Sequence, residues 1–143
     1  MDKIRLEGVS FLYGKGTSYS KEALKNVNIG IKKGSITGLI GHTGSGKSTM
    51  LQLLNGLATP SEGKVYLDGV DIWEKPKEIG KVRFRVGLVM QYPEYQLFAE
   101  TVFEDVAFGL KNFREGLSET EIEEAVRTAL ETVGLGLISL NTS

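Results

Sequence analysis

Cysteine is absent from this 143-residue chain, and histidine occurs once. No apolar run approaches the ~20 residues that a membrane-spanning helix requires. Without cysteine there is no disulfide framework and no thiolate zinc or iron–sulfur site. A single histidine cannot build a histidine metal cluster. The net charge of -1 offers no basic face to nucleic acid. The opening residues, Met1-Asp2-Lys3-Ile4-Arg5, lack the apolar centre of an export signal, so the cytoplasm is the expected compartment. Hydrophobic content of 41% and charged content of 24% are those of an ordinary soluble domain, and the length allows a real core. Glycine, by contrast, is plentiful at 18 residues, and several of these gather in one short stretch.

That stretch is Gly41-His42-Thr43-Gly44-Ser45-Gly46-Lys47-Ser48, which fits the phosphate-loop pattern G-x-x-x-x-G-K-[ST] without a mismatch. Ser35 to Ile40, just before it, is short and apolar and predicts a buried strand. Thr49 to Leu54, just after it, is made of helix formers, with Gly56 as a stop. Glycines let backbone N–H groups close around phosphate oxygens, at a helix N-terminus whose dipole also favours an anion. Lys47 is placed to reach the β- and γ-phosphates of a nucleotide, and the Ser48 hydroxyl to ligate Mg²⁺. His42, in the variable part of the loop, reads as a solvent-facing spacer.

Elsewhere the chain alternates strand and helix signals. Lys3 to Phe11 predicts a strand, Gly14 to Glu22 a loop, and Ala23 to Ile31 a second strand. Lys64 to Leu67 and Val70 to Ile72 flank Asp68-Gly69, a strong two-residue hairpin signal. Trp73 to Lys81, with Pro76, predicts a loop holding a helical turn. Arg85 to Met90 predicts another buried strand, ending at Gln91. Thr101 with Glu104 and Ser118 with Glu121 both fit the capping box. Ile122, Ala125, Val126, Ala129, Leu130 and Val133 place an apolar face on a helix that Gly134 ends, and Glu123 can pair with Arg127 across one turn.

Some residues keep two readings. Gln91, directly after a strand, is either a ligand group or a polar loop residue. Tyr13 is either a platform for a base or, with Phe11, an edge of the core. A hydrolytic site needs an acidic residue at the end of a second apolar strand. Asp68 follows Val65-Tyr66-Leu67 but reads better as a hairpin turn, and the later strand ends in Gln91 rather than a carboxylate. Lys75, Lys77, Lys81, Arg83 and Arg85, interleaved with Glu74 and Glu78, read as a solvated surface.

Taken together, Tyr13, the loop from Gly41 to Thr49, and Gln91 resemble the nucleotide-binding subunits of ATP-binding cassette (ABC) transporters. The segment Gln91-Tyr92-Pro93-Glu94-Tyr95-Gln96-Leu97-Phe98, followed by Thr101-Val102 and Asp105 to Gly109, is similar to the ATPase subunits of energy-coupling factor transporters. The resemblance runs from about Lys3 to Gly134. It implies an α/β phosphate-loop NTPase with a RecA-like core, an antiparallel β subdomain and the start of a helical subdomain. Residues 1–91 are then the nucleotide-binding core with the β subdomain, 92–135 the start of the helical part, and 136–143 a divergent tail.

The same resemblance implies a site for ATP and Mg²⁺. Tyr13 stacks on adenine, residues Gly41, His42, Thr43, Gly44, Ser45, Gly46, Lys47, Ser48 and Thr49 hold the phosphates, and Ser48 with Gln91 serve the metal. It implies a second ATPase subunit as partner, in a homo- or heterodimer, and a transmembrane coupling subunit met through Tyr92 to Phe98. The location implied is the cytoplasmic face of a prokaryotic cell membrane, and the process is import of vitamins or transition-metal ions. The sequence departs from the family pattern near Gly136 and contains no Leu-Ser-Gly-Gly-Gln signature, acidic magnesium strand, catalytic glutamate or switch histidine. The expectation is therefore the N-terminal part of such a subunit, not catalytic by itself. A non-catalytic nucleotide-binding fragment, or another phosphate-loop NTPase such as a small kinase or GTPase, is the alternative.

Overall fold

The computed structural model describes residues 2–114 and 116–136, in two units, Met1–Val89 and Met90–Ser143. The first unit opens with two long strands, β1 (Asp2–Tyr13) and β2 (Lys21–Lys32). The helix α1 (Lys47–Asn55) follows, then β3 (Glu62–Leu67), β4 (Val70–Asp71) and the short helix α2 (Ile79–Arg83), entered through a 3-10 turn at Pro76–Glu78. The strands form one antiparallel sheet in the order β2-β1-β3-β4.

β1 carries a bulge that its sequence does not advertise. Leu6 pairs with Ile29 and Val9 with Val27, so three steps on β1 face two on β2. Side chains three apart on a regular strand point to opposite faces. The extra residue, with Gly8 at φ 58°, returns Val9 to the face of Leu6. Both are buried, with Leu53 of α1 and Val65 of β3, and Met50, Leu54, Leu67 and Ile72 complete the cluster. Each such aliphatic side chain contributes roughly 1.5–3 kcal/mol by leaving water. The β3–β4 turn is the hairpin expected at Asp68-Gly69, with φ 52° and 81° at its two central residues, as a type I′ turn requires.

Two expected strands do not form. Ser35 to Ile40 and Arg85 to Met90 join no ladder among the described residues. Ile36, Ile40 and Val89 are 103%, 97% and 81% exposed. The physical reason is that an apolar strand is defined by its neighbours. Strand propensity fixes an extended backbone, but burial and hydrogen bonds come only from partners on both edges.

The second unit holds a 3-10 turn at Pro93–Gln96, α3 (Val102–Phe113) and α4 (Glu119–Thr132). Ile122, Val126 and Leu130, one turn apart along α4, are buried in a cluster with Ala107 of α3. The apolar face is narrower than the spacing predicts: Ala125 and Ala129 are exposed, and so is Val133. Ser118 and Glu121 make the full capping box, and the Thr101 hydroxyl accepts from the Glu104 N–H. Glu123 and Arg127 pair at 3.1 Å. No described helix is long and apolar enough to cross a membrane.

Candidate functional site: the glycine loop at the start of α1

α1 begins at Lys47 behind Gly46, which is left-handed (φ 85°) and provides no side-chain cap. The first N–H groups of a helix have no intrahelical acceptor, so this end keeps donors available to an anion. Lys47 folds back over the loop, donating from Nζ to the carbonyls of Gly41 at 2.6 Å and His42 at 2.8 Å. The Ser45 N–H donates to the His42 carbonyl at 3.2 Å and tightens the turn. His42 uses Nδ1 on the Thr43 carbonyl at 2.8 Å. Ser48 is exposed and Thr49 is buried.

The loop packs closely on its own neighbours at two of its glycines. A Cβ on Gly46 would run into the Ala23 carbonyl of β2 and the Leu24 side chain, and one on Gly41 would run into Ser45 Oγ. The chemistry on offer is a set of main-chain donors, one ammonium group held by loop carbonyls, and an open hydroxyl. These suit a triphosphate and an oxygen-liganded cation.

Tyr13, at the end of β1, joins this site. Its hydroxyl and that of Thr49 lie 2.8 Å apart in a hydrogen bond. Its ring stands edge-on to Phe11, with centroids 4.8 Å apart and planes at 79°. The residue is 46% exposed, so it is anchored but not enclosed. Tyr13 thus borders the core through Phe11 and leaves part of its side chain exposed.

Gln91 belongs to the second unit, where it is exposed and donates from Nε2 to the Tyr92 hydroxyl at 3.3 Å. Tyr92 and Tyr95 contact edge-on at 6.1 Å, and both are exposed together with Leu97 and Phe98. Asp105 Oδ1 accepts the N–H groups of Phe98 and Ala99, each at 3.2 Å, fixing the end of this segment to α3.

Asp68 is the hairpin residue expected, and its carboxylate is paired with cationic side chains. Lys3 donates to it at 2.8 Å and Arg85 also pairs with it. Hydrogen bonds from Lys3 and then Arg85 hold its carboxyl below the usual aspartate range. Two contacts made at the far end of α1 carry no signal in the sequence. Asn55, buried, donates from Nδ2 to the Val86 carbonyl at 2.6 Å, and Arg83 donates to the Gly56 carbonyl at 3.0 Å. They tie the helix end to the segment that leads towards Val89. In sequence Asn55 is only the last polar residue before a helix-stopping glycine.

A family model described as ABC transporter matches residues 24–142. The chain belongs to the ABC transporter family. Among curated relatives within it, the energy-coupling factor transporter ATP-binding protein EcfA2 of Caldanaerobacter subterraneus subsp. tengcongensis is 54% identical over 132 residues, 92% of this chain and 46% of the relative. EcfA2 of Clostridium acetobutylicum is 49% identical over the same shares. The chain spans about half the length of the curated relatives it matches. Among solved structures, cbiO1 from Clostridium perfringens, part of the ABC transporter complex cbiONQ, aligns with TM-score 0.78 and 35% identity over 97% of this chain and 56% of its own. The ATP-binding cassette MJ0796, solved as a dimer in a post-hydrolysis state bound to ADP and Pi, aligns with TM-score 0.83 and 31% identity over 98% of this chain and 61% of its own. The fold is thus the N-terminal part of an ABC-type phosphate-loop NTPase, with its antiparallel sheet and helices.

Proposed function

We propose that this chain is the nucleotide-binding part of an energy-coupling factor ATPase subunit, acting in import of vitamins or transition-metal ions. The reading is carried by the Lys47 ammonium held over loop carbonyls at an uncapped helix start. It is supported by relatives about half identical to this chain that are named as transporter ATP-binding proteins. MgATP, when bound, supplies a phosphoryl group open to attack by water. The chain's own contribution is to bind and orient. The loop Gly41–Thr49 takes the phosphates, with Lys47 exchanging its two carbonyl partners for phosphate oxygens. Ser48 serves the magnesium ion, and the open face of Tyr13 takes the base. A second ATPase subunit completes the site, and a transmembrane coupling subunit meets the exposed Tyr92–Phe98 segment at the cytoplasmic face of the membrane. The chain by itself binds without appreciable turnover.

Calorimetry with MgATP on the folded chain tests this. Binding is expected, and Lys47→Ala is expected to weaken it by about 10- to 100-fold, the loss of charge-assisted hydrogen bonds. Absence of MgATP binding by the folded wild-type chain overturns the proposal, as does Lys47→Ala binding with unchanged affinity.

A further inference from the structure

We propose that the Tyr13–Thr49 hydroxyl pair is a positioning contact that makes base recognition depend on the phosphate loop. This inference rests on the nucleotide-binding reading above and adds to it a role for the tyrosine hydroxyl that stacking alone does not require.

The two residues are 36 positions apart and come from different elements, the end of β1 and the first turn of α1. Thr49 follows Lys47 and Ser48 directly and is 5% exposed, so its side chain cannot wander. Tyr13 is the opposite case. It lies at the end of β1, paired with Lys21 where the β1–β2 ladder stops, next to a loop. Strand ends fray, and a half-exposed ring there has rotamers to choose from. Two contacts remove that freedom: the edge-on stack on Phe11 and the 2.8 Å bond to Thr49. Only the second refers the ring to the phosphate loop. The neighbouring strand makes the same approach, since Ala23 and Leu24 of β2 close against Gly46. The end of the β1–β2 pair is therefore seated on the loop at two points, Gly46 and Thr49.

A ring fixed in this way has its open face set before any ligand arrives, and the ordering cost of binding falls. A nucleoside triphosphate, which reaches the loop and the ring together, benefits. A bare triphosphate, which needs only the loop, does not.

The test compares MgATP and magnesium tripolyphosphate by calorimetry on the full chain. Tyr13→Phe keeps the ring and its stack on Phe11 but removes the hydroxyl. Thr49→Val keeps the shape and removes the partner, and Thr49→Ser restores a hydroxyl. Tyr13→Phe is expected to weaken MgATP by about fivefold, the worth of one net hydrogen bond, while tripolyphosphate binding changes by less than about twofold. Thr49→Ser is expected to bind MgATP more tightly than Thr49→Val. The double variant Tyr13→Phe/Thr49→Val is expected to be no weaker than the weaker single variant, because both remove one bond. Unchanged MgATP affinity in Tyr13→Phe overturns the proposal, and so do fully additive losses in the double variant. A wild-type chain that binds neither probe refutes the nucleotide-binding reading itself, whereas one that binds MgATP equally with or without the Tyr13 hydroxyl refutes only the coupling. Circular dichroism of each variant checks that the fold is retained, and the Thr49→Ser comparison reports the bond even if Thr49→Val unfolds.

Discussion

At the scale of single residues, Asp68 shows how one side chain serves two structural purposes. Its backbone supplies the left-handed first position of the β3–β4 turn. Its carboxylate gathers Lys3 of β1 and Arg85 beyond α2. The two cations lower its pKa in the folded chain, with the Lys3 hydrogen bond the larger cause. A lowered carboxyl pKa contributes stability that is complete above the unfolded value, near pH ~3.9, and is lost as pH falls through the folded value. Asp68→Asn keeps a side chain that tolerates positive φ but removes the charge. The variant is expected to melt slightly below wild type at pH 7, and the gap is expected to close as the pH falls below 4. Thermal midpoints recorded from pH 7 to 3 check this, and a gap that widens in acid refutes it. The pair is exposed, so the effect at neutral pH is small and falls further with added salt.

At the scale of elements, the capping box of α4 is the clearest local device. The Glu121 carboxylate accepts the Ser118 N–H and hydroxyl at 2.8 and 2.7 Å, and the Ser118 hydroxyl accepts the Glu121 N–H at 3.3 Å. Ser118→Ala is expected to cost the helical unit about 1 kcal/mol. Faster hydrogen exchange in the first turn of α4, with α1 unaffected, is the measurement. Such a device is legible in sequence because all its parts lie within four residues. So is the Asp68-Gly69 hairpin, whose turn chemistry is set by adjacent residues. The phosphate-loop pattern is contiguous as well, which is why its helix is readable down to the glycine that stops it. The segments Ser35 to Ile40 and Arg85 to Met90 differ: their apolar residues predict burial, but only a neighbouring strand provides it. The bulge at Gly8 escapes because it depends on the register with β2. The Tyr13–Thr49 bond escapes because no periodicity links residues 36 apart.

At the scale of the whole molecule, that failure of local reading has a consequence in solution. Ile36, Ile40 and Val89 lie on segments that join no ladder among the described residues, and they are almost fully exposed. Extended apolar segments with unpaired backbone are templates for pairing with another chain. The second unit adds exposed Tyr95, Leu97 and Phe98, the last of which is held by its N–H to the Asp105 carboxylate. The first set is therefore the stronger driver of association between chains. Light scattering coupled to size exclusion is expected to show self-association that grows with protein concentration. Ile36→Lys combined with Val89→Lys is expected to reduce it, because a charge on an exposed edge must be desolvated before strands can pair. Neither side chain is buried, so the double variant is expected to change unfolding free energy by no more than about 0.5 kcal/mol per site. A wild-type chain that stays monomeric at every concentration, or a charged variant that associates just as strongly, shows that these segments are satisfied by some other arrangement. In the second case association belongs to the aromatic segment of the helical unit instead.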